Sequence, residues 1–544
     1  MTSRHFNPLL CVAFAIAALV AMPVVSVLSN VLSGGTGATW SHLAATVLPD
    51  YIANTLLLCL AVGVGVIVVG VATAWLTTMH DFPGRRVFAW ALVLPMAMPA
   101  YVLAYVYTDF LQFVGPLQTF LRESFGWNKG DYWFPEVRSL GGAVAMFVFV
   151  LYPYVYLLTR TAFIERSSGM LEAARTLGLG PWRSFFRVSL PLARPAVVAG
   201  ATLALMETLA DYGTVSYFGV QTFTTGIYRA WFSLGDRIAA AQLSAALLAF
   251  VIVLLLLEWR SRGRSRFHNT TGRHRHLAER QLSGWRGWLA TAGCALPLFI
   301  GFVLPAALLL RLTLAESEAP LGPQFVTLAR NSFLLAGLTA GIALALAVVL
   351  AYGARLTKGV LAPALNRLVG LGYAVPGSVI AVGVLIPVTR LDHWLAATWQ
   401  SWSGENPGLL LTGGIAALVY AYLVRFLAVA LQSVGASLAK ITQSMDDAAR
   451  SLGLGQAATL HRVHLPILRS SLFTAALLVF VDVMKELPAT LVMRPFDFDT
   501  LATQAYTLAA DERLAEAAAV SLAIVAVGLL PLIVLSQQIS RRRG

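Results

Sequence analysis

Charged side chains are scarce in this sequence: Asp, Glu, Lys and Arg supply 12% of its 544 residues, about half the share found in soluble globular chains. So little charge cannot clothe the surface of a water-soluble protein this long, which excludes a soluble enzyme or scaffold. Cysteine is nearly missing. Cys11, Cys59 and Cys294 stand singly in apolar stretches without CxxC or Cys/His spacing, which excludes a disulfide framework and a structural zinc site. No GxxxxGK[ST] stretch occurs, so the loop that cradles nucleotide phosphates is lacking. The alternating pattern of a membrane β-barrel is lacking as well.

What is present is apolar. Hydrophobic residues make up 58% of the chain and mean hydropathy is +0.73. Windows near the roughly 20 residues that cross a bilayer as a helix fall at about 9–32, 52–79, 87–109, 140–159, 195–210 and 238–257. After a basic interval they resume at about 288–310, 330–352, 368–388, 411–430, 471–484 and 514–536. The expected fold is an all-α polytopic membrane protein of about twelve transmembrane helices. The fifth and eleventh windows are short and followed by acidic residues. The first apolar stretch, Leu9 to Leu32, exceeds the 7–15 residues of a signal-peptide core and is expected to be a retained span.

The formal charge of +13 concentrates in Arg260 to Arg286, where a nucleic-acid site is the competing interpretation. A polybasic loop beside membrane spans is what the positive-inside rule requires. No nucleic-acid partner is therefore expected. Placing both termini in the cytoplasm puts Arg85, Arg86, the Arg160–Arg194 loop, the basic linker, Arg355, Lys358 and Arg541–Arg543 inside, with Arg138 and Arg311 as exceptions.

One polar segment is written twice. Glu172-Ala173-Ala174-Arg175-Thr176-Leu177-Gly178, running on to Pro191, returns as Asp447-Ala448-Ala449-Arg450-Ser451-Leu452-Gly453, running on to Pro466, each pair 275 positions apart. Asn54 matches Asn331 and Pro99 matches Pro376 at an offset of 277, so the whole half is duplicated. Six spans per half make the two six-helix repeats parallel. The expected domains are 1–257, with its loop at about 165–193, a cytoplasmic linker at 258–287, and 288–544, with its loop at about 440–468.

Within each loop the pattern predicts a short helix capped by Gly169 or Ser444, with Glu172 or Asp447 at its third position facing the positive helix end. Gly178 and Gly453 then suit a left-handed turn. A second helix follows and is expected to end near Pro191 or Pro466. A helix, corner and helix facing the cytosol make a docking surface.

These residues resemble the cytoplasmic motif of ATP-binding-cassette (ABC) importer permeases, with Val188 and Val463 in place of the usual Ile and Asp447 in place of Glu. The resemblance covers nearly the whole chain as two fused permease domains and implies the type I importer permease fold in a bacterial inner membrane. It also implies that the loop residues Glu172, Ala173, Ala174, Gly178 and Pro191, with Asp447, Ala448, Ala449, Gly453 and Pro466, seat on two ATPase subunits. Those subunits would bind the ATP and magnesium. This chain would then be a transport subunit rather than an enzyme, hold no cofactor, and receive substrate from a periplasmic binding protein.

Acidic residues beside spans are costly in lipid. Glu207, Asp211 and Tyr212 follow the fifth window, and Asp482, Lys485 and Glu486 follow the eleventh, with Asp211 and Glu486 again 275 apart. Either these groups form internal ion pairs, such as Asp482 with Lys485, or they line a pathway and offer hard oxygen ligands to a cation. The segments Glu207–Val215, Phe223–Trp231 and Lys485–Leu491 are similar to the fused permeases of bacterial ferric iron importers. That resemblance implies transient iron contacts at Glu207, Asp211, Tyr212, Asp482 and Glu486 without a stable metal site. A fused thiamine permease is the alternative within the class. An ion-gradient-driven secondary transporter is the alternative outside it, and would have no use for two docking loops.

Overall fold

The computed structural model describes residues 8–32, 37–128, 130–166, 180–262, 280–315, 322–357 and 359–541. The first half contains α1 (Pro8–Ser29), α2 (Leu48–Met79), α3 (Arg85–Ala91), α4 (Ala100–Leu111), α5 (Leu140–Arg166), α6 (Leu190–Ala210), α7 (Gly213–Tyr217), α8 (Phe223–Tyr228) and α9 (Arg237–Arg262). The second contains α10 (Trp285–Leu298), α11 (Leu304–Ala315), α12 (Pro323–Leu356), α13 (Leu361–Gly370), α14 (Gly377–Ser403) and α15 (Ala416–Leu438). It continues with α16 (Gln443–Ser451), α17 (Leu465–Met484), α18 (Pro488–Met493), α19 (Leu501–Ala510) and α20 (Leu514–Arg541). The all-α membrane fold is as expected.

Among the described residues eleven helices are long and apolar enough to span a bilayer, and a bent pair at Arg85–Ala97 and Ala100–Phe125 would make a twelfth. The window at about 87–109 is therefore not one continuous helix, because the chain turns by 91° there. Pro99 is the cause. It has no N–H to continue a helix and holds Met98 extended (φ −90°, ψ 117°), so α4 starts afresh with Pro99 as its cap. Pro376 does the same before α14.

The fifth and eleventh spans are longer than their apolar windows, each running 29 residues as Trp182–Ala210 and Gln456–Met484. The second helix of each loop therefore does not end at Pro191 or Pro466. A π-turn at Phe185–Ser189 or Leu460–His464 precedes the proline, and Leu190 and Leu465 donate five residues back to Phe185 and Leu460. The widened turn accommodates a ring that lacks an N–H, and the helix carries on into the membrane.

In each half three spans pack together: α2, α5 and α6 in the first, α12, α15 and α17 in the second. Polar residues set the register of the loops. Asn54 donates to the Gln221 carbonyl at 2.9 Å, and its counterpart Asn331 donates to the Asp499 carbonyl at 3.0 Å. Each clamp fixes the start of a capping-box helix, α8 at Thr222 and α19 at Thr500.

The first span of each half crosses over to the other. Helix α1 lies mainly on α12, α13 and α14, while α10 and α11 reach α2, α3 and α4; within their own halves α1 also meets α9 and α11 meets α20. The exchange is fastened twice, by Tyr420 Oη donating to the Leu19 carbonyl at 2.6 Å and Tyr107 Oη to the Ile300 carbonyl at 2.6 Å. Residues such as Leu57, Leu60, Val64 and Val68 on α2 remain exposed at helical spacing and form a lipid-facing stripe.

Candidate functional site

The second copy of the repeated segment is described throughout. In the first copy Glu172, Ala173, Ala174 and Gly178 lie outside the described residues, as does Gly169. Pro191 sits in the first turn of α6 and Pro466 in that of α17. The cap of α16 lies two residues before the expected one: Thr442, not Ser444, is extended (φ −69°, ψ 153°) at its head. The Thr442 and Ser444 hydroxyls bond each other at 2.8 Å, so Ser444 is occupied inside the turn. Asp447 consequently sits within the helix and pairs with Arg450 at 2.5 Å on an exposed face.

The end of α16 follows the expected geometry. Gly453 has φ +80°, its N–H meets the Arg450 carbonyl, and the Leu454 N–H meets the Ala449 carbonyl. This is a Schellman closure, which favours glycine at the left-handed position. The corner exposes Ala448, Met445 and Leu452 and tucks Ala449 inward.

The acid that anchors this corner is Asp446, which sequence reasoning missed. It accepts from Arg355 at the end of α12 (2.8 Å) and from His464 in the π-turn (2.7 Å), while Arg355 also donates to the carbonyls of Leu438 and Ile441. The loop is thus tied to two spans by charge-assisted bonds. At the 275- and 277-residue offsets the first half carries Leu171, Ser189 and Thr78. Looking for what repeats therefore passes over a contact that does not.

A second constellation lies where the halves meet. Helices α6 and α17 end at Ala210 and Met484, and short helices α7 and α18 start a few residues on. Their free N–H groups are met by Asp211 and Glu486. Asp211 accepts from Thr214 N at 2.8 Å and Thr214 Oγ1 at 3.1 Å. Glu486 accepts from Ala489 N at 3.1 Å, Thr490 N at 3.2 Å and Thr490 Oγ1 at 2.9 Å. The duplicated carboxylates thus do duplicated local work as helix caps.

Around them is a cavity of about 130 Å³, lined among others by Glu207, Asp211, Asp482, Glu486, Arg425, Lys485, Tyr101, Tyr154 and Tyr373. Arg425 on α15 faces Glu207 at 3.4 Å and Glu486 at 3.5 Å. Tyr373 Oη donates to Glu207 at 2.8 Å. Asp482 pairs with Lys485 at 3.5 Å, and Lys485 also donates to the Met96 carbonyl at 3.4 Å. Four carboxylates against one guanidinium and one ammonium leave a formal excess of two negative charges. Among the described residues no three His, Cys, Asp or Glu side chains converge as a metal site.

Tyr212 does not line the cavity; its ring stacks on Tyr228 with centroids 3.7 Å apart, and Tyr228 Oη donates to the Pro488 carbonyl. Of the five sequence-predicted pathway residues the fold thus gathers four at one cavity. It adds Arg425, Tyr373, Tyr154 and Tyr101. Arg425 carried a signal in the sequence, a lone charge inside the apolar run Ala421–Ala430. The tyrosines carried none, because aromatic residues are ordinary in membrane spans.

Residues 65–259 match the family model described as binding-protein-dependent transport system inner membrane component. The chain is 25% identical over 492 residues to the Fe(3+)-transport system permease protein FbpB 2 of Haemophilus influenzae, covering 90% of each. It is 22% identical over 515 residues to that organism's putative ferric transport system permease protein FbpB 1, covering 89% of this chain and 77% of the relative. Over 196 residues it is 30% identical to the molybdenum transport system permease protein ModB of H. influenzae, covering 35% of this chain and 82% of the relative.

Proposed function

The chain belongs to the family of binding-protein-dependent transport system inner membrane components, and from that premise we propose that it is the fused permease of an importer for ferric iron. It is an ABC-importer permease, a multi-span membrane protein that works with an ATPase and a binding protein. The finer assignment extends this. Two ATPase subunits, one per repeated loop, bind ATP and magnesium and drive the halves between outward- and inward-open states. The protein resides in a bacterial inner membrane with both termini in the cytoplasm, and has no ATPase site of its own.

The observation that carries the choice of cargo is the charge of the cavity. An excess of carboxylates joined by tyrosine oxygens suits a hard cation and opposes an oxyanion. This favours the cargo named for the relatives matched along most of the chain over that of the shorter molybdenum relative.

The test is uptake of radiolabelled iron by proteoliposomes holding this chain, its ATPase and its binding protein. ATP-dependent accumulation of ferric iron, with none of thiamine or molybdate, is expected. Thiamine uptake without iron uptake would reassign the cargo. Uptake in vesicles that lack the ATPase would overturn the importer assignment.

A further inference from the structure

At the central cavity the acids repeat and the bases do not. Glu207 with Asp482, and Asp211 with Glu486, are pairs 275 positions apart, and all four residues line the cavity. Arg425 and Lys485 line it too, yet the positions 275 before them are Val150 and Ala210, also at the cavity wall. The duplicated fold therefore requires no cation at either place. A guanidinium retained in a membrane span without a fold requirement calls for a functional account.

Its geometry differs from that of a structural bridge. A bidentate guanidinium–carboxylate pair closes to about 2.7–2.9 Å. Arg425 instead spreads between two carboxylates, Nη2 at 3.4 Å from Glu207 and Nη1 at 3.5 Å from Glu486, and its buried Nε has no hydrogen-bond partner among the described residues. Glu207 comes from the first half, whereas Glu486 and Arg425 come from the second. Beside them Tyr101, 5% exposed, brings to the cavity a buried hydroxyl with no hydrogen-bond partner among the described residues. An unpaired oxygen next to carboxylates whose guanidinium stands off at 3.4 and 3.5 Å is an arrangement ready for a transient ligand.

We propose that Arg425 is a tethered counter-cation, occupying the cation position between Glu207 and Glu486 when cargo is absent and giving it up when cargo arrives. On the reading above that the cargo is a hard cation, the exchange keeps the buried carboxylates neutralised at every stage. Displacing the guanidinium breaks the ionic link from Glu207 to the second half and leaves the Tyr373 hydrogen bond as its tie across the junction. Because the guanidinium cannot diffuse away, it competes for the carboxylates at high effective concentration. The cargo is therefore never held too tightly to leave. Arg425 is on this account a specificity-determining residue: it admits cations that outcompete a guanidinium for oxygen ligands and resists weaker ones.

The probe is terbium(III), a hard trivalent cation, titrated into the detergent-purified full complex and followed by luminescence sensitised through the cavity tyrosines. R425Q is expected to bind it at least about tenfold more tightly than the unmodified complex, since a repelling unit charge a few ångströms away has been removed. In the double variant E207Q/R425Q the affinity should fall back, which assigns the signal to this cavity. An R425Q affinity within twofold of the unmodified protein would overturn the role of Arg425. Should R425Q fail to fold, R425K serves. Its single ammonium cannot span both carboxylates, so several-fold tighter binding is expected and unchanged binding would overturn the proposal. Iron uptake by the unmodified complex separates the two levels. If iron is carried and the variant's terbium affinity is unchanged, only the role of Arg425 falls; if molybdate is carried instead, the cargo falls whatever terbium shows.

Discussion

Two glycines show how single residues set the working parts. Gly453 stands at φ +80° at the corner of the second repeated loop. A side chain there would cost about 1–2 kcal/mol in backbone strain and would turn Leu452 and Leu454 out of the Schellman closure. G453V is expected to abolish iron uptake and reduce co-purification of the ATPase, with membrane insertion preserved. Full co-purification together with normal uptake would remove this corner from the docking surface. Gly377, at the start of α14, leaves room for the cavity acids: a Cβ there would stand 2.6 Å from Glu486 Oε1 and 3.1 Å from Arg425 Nη1. G377A should therefore displace that pair at an overpacking cost of about 1–3 kcal/mol. Uptake should fall several-fold while the assembled complex is recovered at normal yield.

Among the elements, α16 is the one whose attachment was least legible. Its sequence repeats that of the first loop, and the repeat identified it, but its anchorage to α12 and the π-turn runs through Asp446, Arg355 and His464, which have no charged counterparts in the first half. Removing the charge in D446N leaves Arg355 with carbonyl acceptors only. Loss of a charge-assisted bond at a partly buried site costs on the order of 2 kcal/mol. The expected outcome is continued ATP hydrolysis with diminished iron uptake, read as moles of iron per mole of ATP; an unchanged ratio would show that the anchorage carries no force. The equivalent substitution L171N in the first loop should leave that ratio closer to normal. Prolines supply the contrasting case. Pro99 and Pro376 break their helices as proline chemistry dictates, whereas Pro191 and Pro466 follow π-turns and break nothing. Local sequence gives the ring and the missing N–H, but whether the preceding turn widens is settled by the neighbours against which the helix packs.

At the scale of the molecule the crossing first spans are decisive. Because α1 packs mainly on the second half while α10 and α11 reach α2, α3 and α4 of the first, each half's first span completes part of the other's packing. Chains cut within the basic linker, 1–270 and 271–544, should reassemble when produced together and co-purify through one tag. Either produced alone should be degraded or aggregate, since each would expose the surface that the other's first span covers. Stable, monodisperse single halves would show that the exchange is dispensable.

Sequence by itself determined the class of the molecule, because apolar windows of bilayer length with scarce charge admit only helices that satisfy their own backbones. It determined the duplication, since an offset of 275 to 277 persists through loop, proline, asparagine and acid alike. It also singled out Glu207, Asp211, Asp482 and Glu486, because carboxylates near spans are conspicuous. Only the tertiary structure decided what those acids meet. Asp211 and Glu486 bind helix ends, Asp482 binds Lys485, and Glu207 shares Arg425 with Glu486 across the junction of the halves. The reason is physical: a repeat specifies equivalent positions within each half, while Arg425 and the crossing spans belong to the interface between halves, whose contacts join residues distant in the chain, 166 positions apart for Glu207 and Tyr373 and 218 for Glu207 and Arg425, and follow no local period.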